Sequence, residues 1–321
     1  MRRSPTYRHA VLQLEGPVLP LPDDYLIYPH RKHGLDNPHY EWDPADRRAP
    51  IALKDGTKSI ATLIIPVEFF SLNPPAAPFK HPGAMKTPYP DLRHFTVRDY
   101  GNRIGIYRIL RELDARGIKA TFAINAEIAK RYPPLVETII ANGHEIAAHG
   151  VSTAHIHHDG LSEADERALI AETRAAFPHA KTWMSPARNE SYRTLDLISD
   201  AGFEICLDWE ADQRPLPFKT QSNPVWALPH YGELGDFKLL IDRSQSEDEW
   251  AAQIEETAAY HIALHDTEGA SAFAFTLTPY VMGQPFRIHA LRRVLDTLTG
   301  MDGLRLATAK DSCAAFQEVQ P

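Results

Sequence analysis

The sequence predicts a parallel α/β fold of the barrel kind. Three observations predict it. Short apolar runs of strand length alternate with stretches whose apolar residues recur at helical spacing, the pattern of parallel strands joined by crossover helices. Several of those runs end on a polar residue, and in a parallel barrel the C-terminal strand ends line the active site. The length, 321 residues with 43% hydrophobic content, supports one large core, as α/β barrels of this size commonly have.

Residues 1–58 stand apart as a proline-rich arm with interspersed Tyr25, Tyr28, Tyr40 and Trp42 and no periodicity. The expectation is an irregular segment that packs on the barrel or on a neighbouring subunit, with the barrel itself at 59–321. Ile60 to Val67 is the first buried strand, and it ends at Glu68. A carboxylate there must be paired or bonded to a metal, because burying it alone is costly. Residues 71–98 read as a long proline-rich loop. A helix is expected from Asp99, with Ile106, Ile109, Leu110 and Leu113 as its apolar face and Gly117 as its stop. Lys119 to Ile124 is the second strand, ending at Asn125. A short helical piece breaks at Pro133-Pro134. Leu135, Val136, Ile139 and Ile140 then carry a helix to the stop at Asn142-Gly143.

Next comes Gly143-His144-Glu145-Ile146-Ala147-Ala148-His149-Gly150, a turn, a short strand and a histidine at its end. Ser162, with Asp165 three residues on, caps the following helix. The strand Lys181 to Met184 leads into Ser185-Pro186-Ala187-Arg188. A helix near 191–201 precedes the strand Phe203 to Leu207, which ends at Asp208-Trp209. Strands are expected at Val225 to Leu228 and Phe237 to Ile241. Ser246 caps a helix to about Ala259. Ala272 to Leu277 is a strand ending at Thr278-Pro279-Tyr280. A helix near 285–299, a strand at Leu304 to Leu306 and a helix near 308–318 close the chain.

Composition excludes some partners. A net charge of -8 gives no footprint for nucleic acid or an anionic membrane surface. No apolar run approaches the ~18 residues that span a bilayer. Met1-Arg2-Arg3-Ser4-Pro5 is not followed by the apolar stretch of a signal peptide. Cys206 and Cys313 are far apart and give no disulfide framework. A cytoplasmic location is the expectation. The histidines, 16 in all, lie largely in loops, so metal binding enters the reading.

Collected at the strand ends are Glu68, Asn125, His149, Ser185, Arg188, Asp208, Trp209, Thr278 and Tyr280. Glu68 and His149 suit a general base and acid, or two metal ligands. The others would shape and polarise a substrate site, with Arg188 able to polarise a carbonyl or hold a carboxylate.

Arg98-Asp99-Tyr100-Gly101-Asn102-Arg103, Gly117-Ile118-Lys119-Ala120-Thr121 and the stretch 143–150 resemble the polysaccharide deacetylase (NodB-like, carbohydrate esterase) superfamily, and most closely its cytosolic allantoinase-like branch. The resemblance continues through Trp183-Met184-Ser185-Pro186, Glu190-Ser191, Leu195-Asp196-Leu197-Ile198, Ala201-Gly202-Phe203 and Asp208-Trp209. It reaches Pro279-Tyr280, Gly283-Gln284-Pro285 and Arg287-Ile288. It implies a distorted (β/α)7 barrel, often a homo-oligomer, that hydrolyses C–N bonds other than peptide bonds. The substrate would be an N-acyl sugar or a small amide or ureide.

The chain departs from the pattern in three places. The paired acidic residues after the first strand are here Val67 and Glu68. Thr153 stands where a second metal-binding histidine is expected. Thr278-Pro279-Tyr280 stands for His-Pro-Tyr, which removes the expected general acid. The allantoinase members of the branch also lack the second histidine and are thought to act without metal. The cofactor expectation is therefore none, or one divalent metal (zinc) held by Glu68, His149 and His155, with binding weak or absent. Two alternatives stay open: a barrel that keeps the pocket but has lost chemistry and serves in binding or assembly, and a metal-dependent deacetylase rebuilt around His155.

Overall fold

The computed structural model describes residues 39–41, 43–75, 80–84 and 90–320. The chain divides into two compact units, 1–41 and 42–321; the second is described here. Most of the expected arm lies outside the described residues. Its end, 43–58, belongs to the second unit, where Leu53 joins the barrel core and the Ile51 carbonyl accepts Ala270 N–H at 2.7 Å.

Among the described residues nine strands make one sheet: β1 Ser59–Val67, β2 Thr121–Ile124, β3 Glu145–Ala148, β4 Thr182–Trp183, β5 Ile205–Cys206, β6 Leu216–Phe218, β7 Val225–Ala227, β8 Ser271–Thr276 and β9 Leu304–Leu306. Their order is β6-β7-β5-β4-β3-β2-β1-β8, with β9 beside the start of β1. All pairings are parallel except β6 with β7. A parallel bridge from His230, just past β7, to Ala274 of β8 joins the two ends of the curl. The result is a distorted barrel: the alternation of elements predicts the parallel α/β fold, and the family resemblance implies its distortion. Every residue of β1 is buried, as befits a strand covered on both faces.

The register sets the site. Val67 pairs with Ile124, Ile124 with Ala148, Ala148 with Trp183, Trp183 with Cys206, and Cys206 with Ala227. The last residues of six strands thus form one level row. Whatever follows them in sequence (Glu68, Asn125 and His149 among them) emerges at the same end. The opposite end is closed by the helix Ala309–Gln317, which packs Ala309, Cys313 and Phe316 against Ile60, Ile64, Ala123, Ala147, Ala272 and Ala274. Its first amides donate to Thr121 Oγ1 at 2.8 Å and Glu145 Oε2 at 3.1 Å, residues that begin β2 and β3.

Three elements differ from expectation. The helix expected from Asp99 begins at Leu92, capped by Asp91, and runs to Tyr100. A π-helical turn, Gly101–Gly105, joins it to Ile106–Asp114. Of its first segment only Arg98 is buried, so no apolar period announced it. Phe237 to Ile241 is not a strand but part of a π-helical segment, Phe237–Asp242. A short apolar run does not by itself separate the two conformations. The strand β6 holds Pro217, which masks strand character in sequence but is tolerated on an edge. Among the described residues no helix is long and apolar enough to cross a membrane, and both cysteines are free and buried.

Candidate active site

At the open end lies a cavity of about 480 Å³. Glu68 is at its heart, buried with only 7% exposure. His81 Nε2 stands 2.9 Å and His149 Nε2 3.3 Å from the same oxygen, Glu68 Oε1. Burial works to raise the pKa of this carboxyl, but the two imidazoles outweigh it and hold it well below the ordinary carboxylate range. Oε2 has no hydrogen-bond partner among the described residues.

The histidines are oriented by backbone. His149 Nδ1 lies 2.9 Å from the Met184 carbonyl, so Nδ1 bears the proton and Nε2 faces Glu68. His81 Nδ1 accepts Gly83 N–H at 3.1 Å, so its proton sits on Nε2 and is donated to Glu68. Arg98 holds this loop in place, with Nε 3.0 Å from the Gly83 carbonyl and its guanidinium over the Tyr280 ring at 5.0 Å. Asn102 Nδ2 donates to the Glu68 carbonyl at 2.9 Å. The segment carrying Arg98 and Asn102 lies close on Pro279-Tyr280 because Gly105 has no side chain. A Cβ there would meet the Pro279 carbonyl oxygen at 2.3 Å.

The other wall comes from β4, β5, β7 and β8. Ala187 and Arg188 both adopt positive φ, 60° and 53°, a strained turn of the kind that functional sites retain. It places Arg188 Nη1 3.1 Å from Glu210 Oε1 and Nη2 3.1 Å from the Asp208 carbonyl. The guanidinium lies over Gly232, where a Cβ would meet Nη1 at 2.7 Å. Asp208 accepts Ser185 N–H on both oxygens, at 2.9 and 3.0 Å. Behind it Glu190, Cys206 and Asp208 cluster. Burial, then the charge of Asp208, push the Glu190 carboxyl well up. His230 is fully buried, with Nδ1 2.9 Å from the Leu207 carbonyl and Nε2 2.8 Å from Thr276 Oγ1. Burial first, then the Arg188 charge, keep it neutral, its pKa well below the usual range. Asp236 accepts Thr278 N–H at 2.9 and 2.8 Å and Phe237 N–H at 2.7 Å; burial still raises its pKa to about 7.

Residues 98–206 match the family model described as polysaccharide deacetylase. The match spans about a third of the chain, and the likeness to polysaccharide deacetylases in sequence belongs to that segment. No curated protein sequence matches it. Among solved structures it is similar to a probable polysaccharide deacetylase from Pseudomonas aeruginosa PAO1, with a TM-score of 0.75 and 18% identity over 86% of this chain and 96% of that one. It is also similar to Puue allantoinase, with a TM-score of 0.73 and 18% identity over 88% and 99% of the two chains. At such identities these two likenesses establish the deacetylase fold and nothing finer.

Of the strand-end residues singled out from sequence, Glu68, His149, Arg188, Asp208, Thr278 and Tyr280 line the one cavity. Asn125, Ser185 and Trp209 stand behind it. Asn125 Oδ1 accepts Phe69 N–H at 2.8 Å, and its Nδ2 donates to the His149 carbonyl. Ser185 Oγ accepts Trp183 Nε1–H at 2.9 Å, and Trp209 Nε1 donates to Glu190 at 3.1 Å. His155 is a correction: it bonds Ser152 Oγ at 2.8 Å, and the third donor beside Glu68 and His149 is His81. The reason is local. Thr153 ties its own loop to the Phe69 carbonyl through N–H and Oγ1, at 3.3 and 2.9 Å. His157 pairs instead with buried Glu166 at 3.2 Å.

Sequence reading missed His81 and His230. The loop 71–98 was flagged by its length, and a histidine inside it was the available signal. For His230 the signal was its place just past an apolar strand.

The donor set fits a divalent metal in type. One carboxylate and two imidazoles, with ligand atoms within 4.8 Å of one another, are what a three-ligand catalytic zinc site requires. His149 is ready as a ligand, its Nδ1–H fixed by a carbonyl as such ligands usually are. His81 would first move its proton from Nε2 to Nδ1, giving up the hydrogen bond from Gly83 N–H.

Proposed function

We propose that this protein is a member of the polysaccharide deacetylase family that hydrolyses a non-peptide C–N bond, in a small amide or ureide or in an N-acyl sugar. The observation that carries the reading is the Glu68 carboxylate, held ionised between His81 and His149 at the head of a cavity of about 480 Å³. Glu68, His81 and His149 would hold a divalent ion, which when bound supplies a water of pKa lowered to roughly 7. The chain's own groups do the rest. Glu68 Oε2, unengaged, is placed to take a proton from water. His149, with Nδ1–H fixed by the Met184 carbonyl, serves as a ligand through Nε2, and the proton that Glu68 takes from water is the one returned to the departing nitrogen. Arg188 and Tyr280 orient the acyl group. The cavity size favours a small substrate over a polymer. Two buried free cysteines support a cytoplasmic setting, and assembly as a homo-oligomer completes the reading.

A second reading, binding without turnover, rests on Thr278, which offers no imidazole and whose N–H is committed to Asp236. One experiment separates them. Purified wild type and Glu68→Gln are assayed on allantoin, hydantoin and chitotetraose, each with chelator and with zinc. Release of product by wild type alone supports the hydrolase. Binding without release from any substrate in either condition would favour the second reading.

A further inference from the structure

On the floor of the cavity, Thr276 and His230 form a pair that the proposed chemistry does not use. Thr276 is the last residue of β8 and is half-buried, with its side chain on the cavity. It pairs with Ile64 of β1, well before Glu68, so it sits deeper than the carboxylate. His230 Nδ1 is 2.9 Å from the Leu207 carbonyl. A carbonyl only accepts, so Nδ1 carries the imidazole proton. Nε2 is then a bare lone pair, and the Thr276 hydroxyl 2.8 Å away must donate to it. A hydroxyl has one proton. With that proton committed to His230, Thr276 Oγ1 has only lone pairs left for whatever enters the cavity.

We infer that Thr276 Oγ1 is an obligate hydrogen-bond acceptor at the cavity floor, fixed in that role by His230, and that it selects substrates whose inserted end carries an N–H. The inference rests on the amide or ureide reading above and narrows it. A ureide or a primary or secondary amide presents such a donor. A carboxylate or a carbonyl inserted first would face lone pairs with no proton between, and is excluded. The discrimination is of the kind a site achieves when a mismatched ligand leaves its buried polar groups unpaired. His230 is therefore a positioning residue: its ring borders the cavity, but both nitrogens are engaged, Nδ1 by the Leu207 carbonyl and Nε2 by Thr276, so it acts through Thr276.

The test has two arms. The first needs no substrate. In protein labelled with ¹⁵N-histidine, the nitrogen resonances of His230, assigned by their loss in His230→Gln, should show protonated Nδ1 and bare Nε2. Protonated Nε2 would overturn the inference, since Thr276 would then be free to donate. The second arm is calorimetric binding of hydantoin and 1,3-dimethylhydantoin, which lacks any N–H. Wild type should favour hydantoin by about tenfold or more, the worth of one well-placed hydrogen bond. Thr276→Val should erase the preference and Thr276→Ser should restore it. An unchanged preference in Thr276→Val would overturn the assignment. Should wild type bind neither ring, the ureide reading fails and takes the substrate selection with it, while the nitrogen readout still decides the hydroxyl's proton.

Discussion

The two ends of the barrel each hold a carboxylate, half-buried Glu145 at the closed end and buried Glu68 at the open end, and they treat it in opposite ways. At the closed end Glu145 is surrounded by neutral donors: the hydroxyls of Thr121 and Thr182 and the amide of Lys310. Burial dominates there and raises its pKa. At the open end Glu68 is no less buried, yet two imidazoles drive its pKa down. Burial alone therefore does not decide the charge of a strand-end carboxylate. The partners do. Neutral donors make a structural group that tolerates protonation, whereas imidazoles keep an anion ready beside a cavity.

Four experiments would break or sharpen this contrast. The largest effect is expected from Glu68→Gln, which should lower turnover of any accepted substrate by about 10²–10⁴-fold, the usual worth of a general base, while the fold persists by circular dichroism. Glu145→Gln should leave turnover within a few-fold; an equal loss in both variants would erase the distinction. Next, Phe316→Ala at the closed end should destabilise by about 3–5 kcal/mol, as for other large buried aromatics, with the KM of the surviving folded protein unmoved. A shift in KM would mean that the two ends are coupled.

Third, His81→Ala should weaken zinc binding to chelator-treated protein by at least tenfold in calorimetry, whereas His155→Ala should not. The reverse ranking would return the third ligand to the loop after β3. The smallest effect is a pH dependence of stability. The pKa of Glu145 is raised on folding, so the folded state holds its proton longer than the unfolded state. Its contribution is full below its ordinary value of 4.5 and is lost as pH rises through the raised folded value. Glu145→Gln should thus gain on wild type between pH 4 and neutrality in urea titrations. Wild type gaining on Glu145→Gln as pH rises would contradict the assignment.

Much of this was legible in the chain. Glu68 and His149 follow apolar runs, and a level row of strand ends was enough to bring them together. Gly105 belonged to a recognisable helix, but its reason, the approach of Pro279, is a long-range fact. His81 was not legible, because it reaches Glu68 only through a loop held by Arg98 on the Gly83 carbonyl. His230 was hidden by the way the ring closes, since it lies past the end of β7, where a strand reading stops. Phe237 to Ile241 misled because apolar content without a clear period fits either conformation. The loss of histidine at Thr278 was plain in the sequence, but the groups packed behind that wall, His230 and Asp236, required the fold.

The closure of the ring has a mechanical consequence. Six register pairs join β8 to β1, but among the described residues a single bridge, His230–Ala274, joins it to the segment beyond β7. The amides there, Tyr231 N–H to Ala274 and Ala274 N–H to Pro229, each at 2.8 Å, are few. Such a seam has least to lose by opening, so the barrel should breathe along it before any other strand pair parts. The bond from Thr276 on one lip to His230 on the other is a rivet across that seam, set in the floor of the cavity. A guest bound against Thr276 would weigh on the rivet directly. Occupancy of the cavity and the breathing of the barrel would then be one motion, visible as slowed hydrogen exchange at the Tyr231 and Ala274 amides.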